Sequence, residues 1–178
     1  MTHVALLRGI NVSGKNMIKM PDLARIFSEL GCKDVSTYIQ SGNVVFNAGK
    51  AVAANLESRV EAAIQDQLGL TVPVIVRSSV EFMEAVAGNP FPEAVNSPKQ
   101  LNLMFLKVEP VAAAIESLDP DRSAPDRYLV HGRHIYIHLA RSAADTKLTN
   151  AYFDARLKTV STSRNWTTIT TLVEWIHR

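Results

Sequence analysis

Across residues 3–77 the apolar positions alternate between helical and extended spacing, and the resulting order of elements leaves few folds open. Residues 3–8 are mostly apolar and are predicted to form a central strand. Leu23, Ile26, Phe27 and Leu30 recur at i, i+3, i+4 and i+7, which predicts a helix over 21–30. Gly31 follows at the C-terminal cap position. Two extended runs, 35–39 and 44–46, flank Gln40-Ser41-Gly42-Asn43, whose composition is that of a tight hairpin turn. Residues 51–68 are expected as one long helix, with Leu56, Val60, Ala63 and Ile64 on one side and Gly69 closing it. Residues 71–77 are enriched in β-branched side chains and complete the series as a strand. The order is β-α-β-β-α-β, the ferredoxin-like unit.

The second half repeats much of this order. Ser78 with Glu81 has the spacing of a capping box and opens a linking helix to residue 87. Asn89-Pro90-Phe91-Pro92 is a rigid break. Beyond it come an apolar strand (101–108), a helix (110–118) and a hairpin (127–131 and 134–140) about Gly132-Arg133. A helix over 148–157 follows. A final helix carries Ile169, Leu172, Val173 and Ile176, and stands where the second unit's last strand is expected. The predicted fold is therefore α+β: two tandem ferredoxin-like halves, β-α-β-β-α, with mainly antiparallel sheets and extra helices. The halves are placed at 1–88 and 89–178.

The connection from the first strand to the first helix is unusually long. Loops of that length in compact domains are uncommon and are often functional. It runs Arg8-Gly9-Ile10-Asn11-Val12-Ser13-Gly14-Lys15-Asn16-Met17-Ile18-Lys19-Met20. Residues 9–15 match the glycine and lysine positions of a phosphate-binding P-loop, but Asn16 replaces the hydroxyl residue that ligates magnesium. Pro21, a natural first helical residue, also lies too far beyond Lys15 for helix N–H groups to face a phosphate held by the loop. The topology places this loop and the 40–43 turn at one rim, because the first two strands run the same way. Residues 1–21 contain no acid. The predicted anion-binding set is Arg8, Gly9, Asn11, Gly14, Lys15, Asn16 and Lys19 with Gln40, Ser41, Gly42 and Asn43. Lys147 and Arg164 are further basic candidates from the second half.

These segments carry a resemblance. L-L-R-G-I-N-V-x-G-K-N, T-Y-I-Q-S-G-N-V-V-F, K-L-T-N and S-R-N-W together resemble the bacterial domain-of-unknown-function 1697 family, from the first strand to the last helix. The resemblance implies a duplicated α+β fold and no established activity. Ser13 stands where that family usually has a second glycine, and Ser163 replaces a threonine before Arg164.

Other chemistry is poorly served by this sequence. The single cysteine, Cys32, excludes an intrachain disulfide and fits a reducing compartment. No apolar run reaches the ~18 residues of a membrane span, and no signal-peptide pattern opens the chain, so a cytoplasmic protein without a membrane partner is expected. His134 and His138 are predicted on the exposed face of one strand, too far apart to share a metal at ligand distance. No metal or cofactor is implied. The candidate loops hold amides and bases, which suits holding a negative group better than moving protons. Three readings follow, in this order: a binding protein for a phosphorylated small molecule or nucleotide, an RNA or DNA binder, and an enzyme of unknown class. The net charge of +2 and an aromatic content of 7% rank nucleic acid below the small anion. Trp166 is expected in the core and Asn165 as a helix cap.

Overall fold

The chain opens on β1 (Thr2–Leu7), whose residues from His3 onward are all buried. The computed structural model describes residues 1–178. After the long loop comes α1 (Met20–Glu29), which buries Leu23, Ile26 and Phe27. It stops because Gly31 takes a left-handed φ of 92°, so that Gly31 N–H reaches Ser28 O and Cys32 N–H reaches Phe27 O. Then β2 (Lys33–Tyr38) and β3 (Asn43–Asn47) form the hairpin, and β4 (Val74–Ser78) closes the sheet. The strand order is β2-β3-β1-β4 and every pairing is antiparallel. That is the ferredoxin-like arrangement expected.

The long helix predicted over 51–68 is two helices. α2 (Lys50–Ala53) ends at an extended Ala54, and α3 (Leu56–Leu68) starts after Asn55 at φ 57°. Asparagine tolerates this left-handed conformation better than most residues, and apolar periodicity does not register a one-residue break. Arg59 compensates by donating to Val52 O and to Leu30 O, at the ends of α2 and α1. On the outer edge of the sheet, two α3 carboxylates sit one turn apart. Glu61 accepts from Val74 N–H at 2.8 Å and Glu57 from Val76 N–H at 2.7 Å.

The capping box is present. Glu81 accepts from Ser78 N–H, and Ser78 Oγ accepts from Glu81 N–H, at the start of α4 (Ser79–Ala87). A short 3-10 turn (Pro92–Asn96) follows. The second sheet holds β5 (Leu101–Leu106), β6 (Arg127–His131), β7 (His134–His138) and β8 (Ser161–Asn165), in the order β6-β7-β5-β8. Its helices are α5 (Ala112–Glu116) and α6 (Asn150–Leu157), capped by Thr149, which accepts from Tyr152 N–H. The last helix is α7 (Trp166–Ile176).

β8 corrects the expectation that a helix replaces the second unit's last strand. Ser161-Thr162-Ser163-Arg164-Asn165 has no apolar residue and therefore looks like a loop. The Ser161 and Thr162 hydroxyls are nonetheless buried with partners: Asn150 donates to Ser161 Oγ, which donates to Asp154, and Thr162 Oγ1 accepts from Arg164. The two units also share one register. Arg77 lies opposite Val4 and Ser78 opposite His3, while Arg164 lies opposite Leu103 and Asn165 opposite Asn102. In each unit a buried arginine precedes the residue that caps the following helix. Asn165 does this by accepting from Thr168 N–H, and Trp166 is buried as expected.

The histidine face of β7 is also corrected. Tyr136 is fully buried and donates to Ala85 O at 2.7 Å. His138 is half-buried, with its ring against Phe91 and its Nδ1 2.9 Å from Arg127. The face is covered, not open. In the first sheet the central strand β1 is buried on both faces: Ala5 and Leu7 pack beneath the helices, and Val4 and Leu6 on the opposite face are equally inaccessible, whereas edge strand β2 has no buried residue. The compact units are Met1–Glu84 with Leu172–Arg178, and Ala85–Thr171. Trp175 belongs to the first, edge-on to Tyr38 at 5.4 Å.

His3 gives the first unit a pH dependence. It is buried and stacked on Phe46 at 5.5 Å, and burial holds its pKa below the ordinary value. The folded chain therefore binds fewer protons than the unfolded chain as pH falls through about 6.5. Stability rises with pH in that window. Melting temperatures measured from pH 5 to 8 should fall on the acid side, and His3→Gln should flatten the slope there. An unchanged slope in that variant would assign the dependence elsewhere.

Candidate functional site

The rim at the C-terminal ends of β1 and β2 is built by interlocking backbone. Leu7 N–H donates to Gly42 O at 2.8 Å, and Arg8 N–H donates to Pro73 O at 3.0 Å. The first loop therefore leaves the sheet between the hairpin turn and the start of β4. Ile10 and Ile18, both buried, fix its two ends in the core. Between them Val12 and Lys15 pair as a miniature hairpin, with Lys15 N–H donating to Val12 O. Ser13 (φ 50°) and Gly14 (φ 75°) form its two-residue turn, the type I′ conformation.

Asn11 joins this loop to the turn. Its Nδ2 donates to Ile18 O at 2.9 Å and to Gln40 O at 2.8 Å, and its Oδ1 accepts from Ile18 N–H at 2.8 Å. Asn16 Nδ2 donates to Gly9 O. Asn43 is fully buried and donates to Tyr38 O and Ser41 Oγ. All three amides are committed to the chain's own fold. The P-loop likeness ends here too, because Lys15 N–H is engaged inside the turn. α1 begins with Lys19 at its N-cap and no side-chain cap, followed by Pro21.

Backbone strain concentrates on this rim. Gly9, Asn11, Ser13, Gly14, Asn16, Ile39 and Gly42 all have positive φ. Ile39 at φ 49° is the outlier, since a β-branched residue rarely adopts that conformation. Apolar pattern carries no signal for it. What faces outward is Lys15, Lys19 and Gln40, with Arg8 and Ser41 half-buried.

The second-half candidates lie in the other unit. Lys147 is exposed on the loop before α6. Arg164 is buried in β8, where NH1 donates to Thr162 Oγ1 and Ser163 O, and burial pushes its pKa down to about 10. No group of three His, Cys, Asp or Glu side chains is arranged to hold a metal ion. Cys32 is buried, and burial pushes its thiol pKa up, away from a nucleophile's range. No helix is long and apolar enough to cross a membrane.

A family model described as a protein of unknown function, DUF1697, matches residues 1–136. No curated protein matches the sequence. Among solved structures, the chain is similar to the conserved bacterial protein SP0830 from Streptococcus pneumoniae. The two share 23% identity over 99% of this chain and 98% of that one, with a TM-score of 0.74. At that identity the likeness concerns the fold.

Proposed function

Since the chain belongs to the DUF1697 family, for which no function is described, we propose from the rim itself that the protein binds a small phosphorylated molecule or nucleotide there. The observation that carries this reading is the Asn11 bridge. It locks the long loop to the turn at the cost of several strained residues, in a segment without acids that presents Lys15 and Lys19 outward. Strained backbone of this kind persists where the surrounding structure holds it, and it clusters at binding sites. A site held rigid before binding loses less conformational freedom on binding. Three apolar residues are also exposed in these segments: Val12 at 58%, Met17 at 64% and Ile39 at 50%. The ligand therefore carries an apolar or ring portion beside its negative group, as a nucleotide does.

The nucleic-acid reading has less support. RNA-binding sheets of this topology stack bases on exposed aromatics, and here Phe46 is buried and Tyr38 is half-buried against Trp175. The rim also supplies no pair of groups for acid–base catalysis.

The test uses a panel of nucleotides and sugar phosphates with the parent chain and Lys15→Ala. Lys15→Ala should leave stability within about 0.5 kcal/mol, as surface changes usually do. It should weaken the bound compound by roughly 1–3 kcal/mol, the range for a lost charged hydrogen bond. Single-stranded RNA is the comparison. Tight RNA binding that weakens steeply with salt, with no small phosphate bound, would replace this reading.

A further inference from the structure

Between α4 and β5 the chain crosses the second unit as a short strap, and its contacts with β6 and β7 converge on one histidine. Asn89 stiffens the start of the strap: its Oδ1 accepts from Phe91 N–H at 3.0 Å, and its Nδ2 donates to Phe91 O at 3.2 Å. Pro90 and Pro92 fix φ on either side of Phe91. The 3-10 turn that follows buries Ala94. Phe91 is buried too, and Glu93 stands two residues beyond it with half its side chain in solvent.

Arg127 and His138 lie directly opposite each other on β6 and β7, so their side chains share one face of the sheet. Arg127 Nη2 donates to Glu93 Oε1 and also to His138 Nδ1, the latter at 2.9 Å. Its guanidinium carbon lies 4.9 Å from the centre of the Phe91 ring. The His138 ring touches the same Phe91, with 5.7 Å between ring centres. An arginine can only donate. His138 Nδ1 is therefore the acceptor, and the imidazole is neutral with its proton on Nε2. Glu93 Oε1 also stands 3.9 Å from that Nδ1. Asp126, the other charged group near His138, is engaged by Ala140 N–H and Ser123 Oγ.

We propose that the strap carries a proton-operated exchange: when His138 takes a proton, Glu93 and Phe91 pass from Arg127 to the imidazolium. The step forms one N–H bond at Nδ1, with the proton drawn from solvent. Nδ1 can then no longer accept from Arg127, and two cations face each other beside a single carboxylate. Glu93 reaches Nδ1 by a small movement of its own side chain, and the imidazolium serves both as a charged donor to the carboxylate and as a cation against the ring. Arg127, on the edge strand and half in solvent, is the group able to leave. Its departure unties β6 from the strap, while the strap stays seated on β7. Histidine suits such a device because its charge changes between about pH 5 and 8. The exchange lies wholly in the second unit and does not depend on the anion reading of the rim.

The test follows the ¹⁵N,¹³C-labelled full chain by NMR from about pH 8 to pH 5. At the alkaline end the His138 ring nitrogens should report the Nε2–H tautomer, and an Nδ1–H tautomer there would overturn the proposal. On acidification the Phe91 ring and Arg127 side-chain signals should move with the His138 imidazole in one transition. In His138→Gln, whose amide does not titrate, that transition should vanish at Phe91 and Arg127. Glu93→Gln should shift the His138 transition to lower pH, because the imidazolium loses the carboxylate that receives it. If His138→Gln does not fold, the tautomer of the parent chain and the Glu93→Gln titration decide. Phe91 and Arg127 signals that ignore His138, a transition that persists in His138→Gln, or a His138 transition unmoved by Glu93→Gln would each overturn the proposal.

Discussion

Gly42→Ala should destabilise the protein by roughly 2–5 kcal/mol, the largest effect expected of any single methyl added to this chain. Two independent costs combine. Gly42 has φ +76°, and an alanine held there costs roughly 1–2 kcal/mol. The new Cβ would stand 2.7 Å from Leu7 Cβ and 2.8 Å from Ile10 Cδ1. Both neighbours are buried and cannot withdraw, and overpacking of that kind costs roughly 1–3 kcal/mol. The backbone must then shift, which strains the bond from Leu7 N–H to Gly42 O that seats the loop. Gly9 and Gly14 are the internal controls. Their φ values are also positive, at 64° and 75°, but no atom lies within 4 Å of a Cβ built at either. Alanine there should cost only the conformational part. Urea unfolding of the three variants checks the ranking, and a Gly42→Ala variant no weaker than Gly14→Ala would contradict the close approach.

Asn11→Ala is expected to cost roughly 1.5–4.5 kcal/mol, the sum of three lost hydrogen bonds at roughly 0.5–1.5 kcal/mol each. The same change strips partners from Ile18 N–H, Ile18 O and Gln40 O. It also replaces a left-handed asparagine with a residue that tolerates φ 54° less well. The loop should loosen without unfolding the sheet, so hydrogen exchange at the Ile18 amide should accelerate more than exchange within β1. Asn11→Asp sharpens the reading. It keeps an acceptor for Ile18 N–H but turns a carboxylate oxygen against Ile18 O and Gln40 O, and it should be at least as destabilising as Asn11→Ala. Ligand affinity should drop in Asn11→Ala even though its amide is turned into the fold, because the bound geometry is no longer held in advance. Exchange unaltered at Ile18 would remove Asn11 from its role as the tie between loop and turn.

The repeated element order was open to sequence reasoning because it rests on apolar spacing, and apolar spacing is what the sheets and their covering helices bury. Leu23, Ile26 and Phe27 show this in α1, as do Leu101 and Leu103 in β5. The convergence of loop and turn was also legible, since it follows from strand direction alone. β8 was hidden because its burial is satisfied by hydroxyl and amide pairing, as at Ser161 and Asn150, and not by apolar contact. The break at Asn55 was hidden because one left-handed residue shifts a helix without erasing its period. At the rim, the asparagines could be read as important but not in which direction they faced. Asn11, Asn16 and Asn43 bind the chain's own carbonyls, and only the geometry separates them from Lys15 and Lys19, which point away from it.

The two α3 carboxylates at the edge of the first sheet bear on how this molecule behaves in a crowded solution. Val72-Pro73-Val74-Ile75-Val76 is the most strand-prone stretch at any sheet edge here, and an open edge of that kind is a template onto which another chain adds a strand. The amides of Val74 and Val76 are held by Glu61 and Glu57, whose charge also repels a second acidic helix face. The same two side chains thus fasten α3 to its sheet and occupy the donors that an incoming strand would need.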